Sequence, residues 1–128
     1  MAVNLIWDSE KHTIVRVEFD GELSSDDLRA CLHEIDQMIR LEDERVDILF
    51  DTASARQIPR NILTLIGGFI REAPLNLGIL VLIGKDTYIG SLIITFWRLY
   101  PFEATRVHLA TDLEHGYTVI ANSRQAEV

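Results

Sequence analysis

Thr52, Ser54, Arg56 and Arg60 bring two hydroxyls and two guanidinium groups into one short stretch, a set able to hold an anion. The stretch follows the apolar run at residues 46–51, which reads as a strand, and it ends at Pro59. Proline suits a first helical turn, so a helix is expected to open there. A loop that leaves the carboxyl end of a parallel strand and enters a helix is where open α/β sheets bind ligands. Free amides at the helix start and the two arginines would face that ligand together. The plainer alternative is that Thr52 and Ser54 cap the turn while both arginines are solvated.

Asp20, Asp51 and Asp86 fall at or just past the ends of strands, with Lys85 beside the last. Carboxylates so placed can bind Mg²⁺, and a lysine can answer a phosphoryl group, as in receiver domains. A metal-dependent phosphotransfer of that kind would need Asp51. The adjacent acids of a receiver's first strand are missing, and strand-end aspartates are common turn formers. His12, His33, His108 and His115 show no metal-ligand spacing. Cys31 lies on the apolar side of a helical pattern, a core position rather than a nucleophile's. No glycine-rich phosphate loop and no Ser/His/Asp arrangement can be read. The expectation is a protein without catalytic activity, cofactor or metal.

A third set is apolar: Phe69, Ile70, Ile93, Phe96, Trp97 and Tyr100. In the helical pattern at residues 87–100, apolar side chains stand at 88, 89, 92, 93, 94, 96, 97, 99 and 100, more than one buried stripe requires. Burying ~400 Å² of such surface at roughly 25 cal/mol per Å² is worth on the order of 10 kcal/mol before association costs. A symmetric homodimer is the simplest way to cover it. The alternatives are that a neighbouring helix or the tail covers it, or that it walls an apolar cleft. In the last case an acyl chain or similar small molecule would lie between the second and third helices, with Gly67-Gly68 as a hinge.

These residues need a frame. Residues 77–84 (Leu-Gly-Ile-Leu-Val-Leu-Ile-Gly) run apolar without alternation, as a strand covered on both faces does. Residues 3–7 and 13–19 form an opening hairpin, and Val15, Val17 and Phe19 alternate with a mixed face. Ser24 or Ser25 caps a first helix with the stripe Leu28, Leu32, Ile35 and Ile39. Ile62, Leu65, Ile66, Phe69 and Ile70 form the face of a second helix, which Pro74 ends. Its Gly67-Gly68 pair costs roughly 1 kcal/mol per glycine relative to alanine, so close packing or a bend is expected there. Residues 106–110 make a last strand, and Thr111-Asp112-Leu113-Glu114 matches a capping box for a last helix. The order β-β-α-β-α-β-α-β-α implies an α/β fold with a mixed, mostly parallel five-stranded sheet and right-handed crossovers. Residues 1–122 form the single domain, and residues 123–128 are expected to be a flexible tail.

Composition narrows the function classes. At 128 residues and 48% apolar the chain holds one full core. No apolar run is long enough for a membrane span, and the first eight residues lack the pattern of a signal peptide. The single cysteine excludes an internal disulfide and fits a reducing compartment, so the cytoplasm is the expected location. The formal charge of −8 is unevenly spread. Residues 1–51 hold 14 Asp and Glu against 5 Lys and Arg, and the remainder is nearly neutral. Nucleic acid is therefore excluded as a general partner, because phosphate binding draws on clustered cations.

The strand and turn at residues 46–52, the strand at 77–84 and the segment 107–114 together resemble the STAS family, which includes anti-sigma-factor antagonists and the cytoplasmic domains of sulfate transporters. The chain is similar also to the STAS-like proteins grouped with lipid-binding CRAL-TRIO domains. The resemblance covers nearly the whole chain and implies a non-catalytic module that binds a protein partner or its own copy. Anti-sigma-factor antagonists place a phosphorylatable Asp-Ser-x-Gly type turn at the start of the second helix. Here that place reads Gln57-Ile58-Pro59-Arg60-Asn61, with no hydroxyl, so the resemblance does not carry the switch over.

Overall fold

Strand β4 (Leu77–Ile83) is apolar on both sides because both sides are covered. Leu77, Leu80 and Leu82 enter one core, and Ile79, Val81 and Ile83 enter another behind the sheet. The computed structural model describes residues 2–84 and 87–126. Along the chain it places β1 (Ala2–Trp7), β2 (Ile14–Glu22), α1 (Ser25–Arg40), β3 (Val46–Gln57), α2 (Ile62–Arg71), β4, α3 (Thr87–Leu99), a 3₁₀ turn (Ala104–Arg106), β5 (Val107–Ala110) and α4 (Leu113–Gln125). The expected order of elements and the mixed sheet are both present.

The five strands lie in sequence order, with β1 and β2 antiparallel and the rest parallel. Each crossover steps one strand in the same direction, so right-handed connections put α1, α2 and α3 on one face. Their core holds Val15, Val17, Phe19, Leu28, Ile35, Phe50, Ile66 and Phe96. Helix α4 follows β5 and returns across β5, β4 and β3 on the other face, over Leu49, Val81 and Ile83. Gly116 lets it come close: a Cβ there would stand 2.9 Å from Leu49 Cδ2.

Helix α1 starts as expected, with Ser24 as cap and Asp27 closing a capping box. Its buried residues are Leu28, Cys31, Leu32, Ile35 and Ile39. Three expectations need correction. The stretch 52–57 is not loop: β3 runs on to Gln57, beside a β2 that continues through Gly21 at φ +81°. Ser54 pairs with Asp20 and Gln57 with Glu22 beyond the last residue of β4, where among the described residues no strand pairs with the other flank of β3. Polar residues suit such an extension, and their polarity gave it the look of a loop. Helix α4 is capped by Asp112, which accepts the His115 N–H at 2.8 Å, while the Thr111 N–H donates to the His115 ring. The residues from 123 are not a loose tail up to Gln125, because Arg124 is anchored in a buried ion pair.

Candidate functional site

The first candidate lies where β2 and β3 outrun β4. Thr52 is buried, and its hydroxyl donates to the Ile83 carbonyl at 2.6 Å. It ties the diverging ends of β3 and β4 together and does not face solvent with the other three. Ser54, Arg56 and Arg60 are exposed, the first two on β3 and the third in the turn before α2. Arg56 lines a trough of about 650 Å³ with Asp20, Glu22, Ser24 and Asp27, so carboxylates surround the one guanidinium. That surrounding works against a bound anion. Asp51 accepts the N–H of Ala53 at 3.0 Å, the local role expected of a turn former. Lys85 and Asp86 lie outside the described residues. Among the described residues no group of three His, Cys, Asp or Glu side chains is placed to hold a metal ion.

The turn into α2 carries no side-chain cap of its own. Asn61, at the cap position, uses its Oδ1 to accept the hydroxyl of Ser25 at 2.7 Å, which fastens the start of α1 to the start of α2.

The apolar set divides. Ile70, Ile93 and Phe96 are core residues, and Phe69 packs partly against them. Tyr100 stacks on Phe96 with centroids 5.0 Å apart and lies over Gly67. An added Cβ on Gly67 would meet the Tyr100 ring at 2.8 Å, so the residue after α3 packs closely on α2 there. An open groove lies between α1 and α2, where Leu32, Leu65, Gly68 and Phe69 are flanked by Arg29, His33, Asp36, Arg40 and Glu72. At about 310 Å³ it is at the bottom of the size range of small-molecule sites. On the outer side of α3, Ile94 is 55% exposed, Trp97 42% and Leu99 60%, with Phe102 at 92% just beyond. The Trp97 indole N–H donates to the Val107 carbonyl at 2.9 Å, so the ring is held against the domain with its outer side in water.

Sequence reasoning missed the most buried charge. Asp47 is fully buried at the start of β3. It accepts Arg45 Nε at 3.0 Å, Arg124 Nε at 2.8 Å and the backbone N–H of Ile79 at 2.7 Å. Arg106, the last residue of the 3₁₀ turn, lies beside them and donates to the carbonyls of Gly78 and Leu77. Burial, and secondarily Arg45, lowers the pKa of Arg106 from its ordinary value. Gly78 makes room, since a Cβ there would stand 2.0 Å from Asp47 Oδ1. With its acceptors so fully used, Asp47 is a structural tie between β3, β4 and the end of α4. The signal available was an aspartate inside an otherwise apolar strand, facing a glycine in the next.

No protein-family model matches the sequence, and no curated protein sequence matches it. Solved structures do. The phosphorylated form of SpoIIAA, the Bacillus cell fate determinant, superposes with a TM-score of 0.61 at 19% identity, over 92% of this chain and 99% of that one. The unphosphorylated form of the anti-sigma factor antagonist SpoIIAA gives 0.62 at 13% identity, over 94% and 98%. The chain therefore has the STAS fold over nearly its whole length, as its strand pattern suggested.

Proposed function

We propose that this chain is a non-catalytic regulatory module that acts by binding proteins, and that it pairs with its own copy through the outer face of α3. The observation that carries the second part is the exposure of Ile94, Trp97 and Leu99 on α3 and of Phe102 just after it. Ser91, Thr95 and Arg98 are exposed as well, and Arg98 is the one charged residue in α3. A two-fold axis there would set few like charges against each other, although the protein as a whole carries −8. The regulatory reading is supported by the description of the structural neighbours as an anti-sigma factor antagonist and cell fate determinant. A phosphoserine switch at the start of α2 is not part of it, because residues 57–61 hold no hydroxyl.

Native mass spectrometry of the purified chain tests the proposal. A bare dimer is the expected result. A bare monomer at micromolar concentration would remove the self-pairing part, and a monomer with stoichiometric added mass would replace it with a ligand carrier.

A further inference from the structure

The sheet has one long edge. Strand β1 (Ala-Val-Asn-Leu-Ile-Trp) pairs with β2 along one side and, among the described residues, with no strand along the other. In an edge strand alternate N–H and C=O groups point outward and can template another strand. Proteins usually blunt such edges with proline, lysine or a bulge. This one has six uncharged residues, no proline, and an uninterrupted register from Ala2↔Asp20 to Trp7↔Val15. Beside it runs a trough of about 400 Å³ between β1 and α1, lined by Val3, Asn4, Leu5, Ala30, Cys31, Asp27 and Glu34. Val3, Leu5 and Ala30 give it an apolar strip, and both charged groups are carboxylates.

We propose that the β1 edge is a docking site for an extended, basic segment of a partner protein, which adds to the sheet as a sixth strand. Backbone pairing along β1 supplies affinity, and side chains on alternate positions enter the trough. Lysine or arginine fits there, with its stem on Val3, Leu5 and Ala30 and its charge toward Asp27 and Glu34. Charge decides against a second copy as occupant. Self-pairing would bring together two surfaces drawn from residues 1–51, which hold 14 acids against 5 bases. The site lies at the far edge of the sheet from β5, which α3 contacts, and does not depend on self-pairing through α3.

The test uses the whole chain and a fluorescein-labelled peptide of alternating lysine and valine, read by fluorescence anisotropy at low salt. Saturable binding is expected, with chemical-shift changes on β1 and α1 in a nitrogen-15 spectrum. Glu34→Lys should weaken it at least fivefold, whereas Asp43→Lys, the same charge change elsewhere in the acidic half, should weaken it less than twofold. Equal losses would mean diffuse electrostatic attraction and would overturn the proposal. Peptides N-methylated on the valines or on the lysines block one backbone edge or the other. One of the two should lose binding and the other keep it; if both keep it, no strand is added and the proposal fails. It fails too if the chain is a dimer that Asn4→Lys converts to monomer in the ultracentrifuge, because the edge is then taken by its own copy.

Discussion

The Tyr100 ring occupies the space that a side chain at Gly67 would need, with Cε1 2.8 Å from the position of the missing Cβ. The neighbouring glycine is different: a Cβ on Gly68 would meet nothing within 4 Å. Two adjacent glycines in one helix thus have opposite relations to the core. Gly68→Ala should stabilise the protein by up to about 1 kcal/mol, the ordinary helix-propensity gain. Gly67→Ala should forfeit that gain by displacing the ring, and overpacking of this kind costs about 1–3 kcal/mol. Urea denaturation of the two variants checks the difference. Removing the ring with Tyr100→Ala should make Gly67→Ala favourable, and a double-mutant cycle without that coupling would contradict the contact.

Asp47 and Gly78 form a second pair in which one residue exists because of the other. Asp47→Asn keeps the shape but leaves Arg45 and Arg124 without their shared carboxylate, with Arg106 close to Arg45. Breaking a buried pair by removing one partner costs about 3–5 kcal/mol. A loss of that size in the urea-derived stability is expected, with the fold otherwise retained in the nitrogen-15 spectrum. Gly78→Ala should be comparably damaging, since its Cβ would also come within 2.2 Å of Arg45 Nε. Arg124→Met should cost less, because that side chain is 34% exposed and Arg45 remains on the carboxylate.

The contrast between these residues and the candidate anion site shows what the sequence made legible. Periodicity exposed the elements well, because β4 is flanked on both faces and α1 on one, and each arrangement leaves its own spacing of apolar residues. Cys31, Leu32 and Ile35 were readable as core for that reason. The end of β3 was not, because its residues pair with β2 alone, beyond the reach of β4, and look like loop. Thr52, Ser54, Arg56 and Arg60 were grouped by proximity in sequence, but the pairing of β2 with β3 shifts register after Asp51, and Thr52 is held against the Ile83 carbonyl at the end of β4 while the others lie beyond it. The excess of apolar residues in α3 was visible. Which of them turn inward was not, since that depends on where β5 and α2 lie.

Cys31 gives a pH-dependent prediction. The side chain is 3% exposed, and burial, with Glu34 as the lesser cause, pushes the thiol from its ordinary 9.0 up to about 12. Between those values the unfolded chain releases the thiol proton while the folded chain keeps it, so the unfolded state is favoured as pH rises. The contribution is fully present below pH 9 and fades toward pH 12. The urea midpoint of the wild type should therefore fall more between pH 8 and 10.5 than that of Cys31→Val. Parallel curves for the two proteins would mean that the thiol titrates freely. Alkylation by iodoacetamide at pH 8 should proceed only after denaturant is added.

The outer face of α3 makes the last prediction, and its sign separates interface from core. Ile94 and Phe96 are two residues apart, yet the first is 55% exposed and the second 1%. If self-pairing uses this face, Ile94→Asp sets two carboxylates against each other across the two-fold axis, whereas the free monomer gains only a solvated charge. The variant should then be a folded monomer, with an unfolding free energy per protomer within about 0.5 kcal/mol of the wild type at dilutions where the dimer has dissociated. Phe96→Asp buries a charge among Ile93, Ile66 and the Tyr100 ring, so it should fail to fold and say nothing about association. Trp97→Asp is a less clean probe than its exposure suggests, because it also removes the bond to the Val107 carbonyl that holds β5 against the helix. Sedimentation velocity on the wild type, Ile94→Asp and Leu99→Asp over a range of concentrations gives the answer. A dimer that survives both substitutions would show that the copies meet elsewhere and leave α3 open to a different partner.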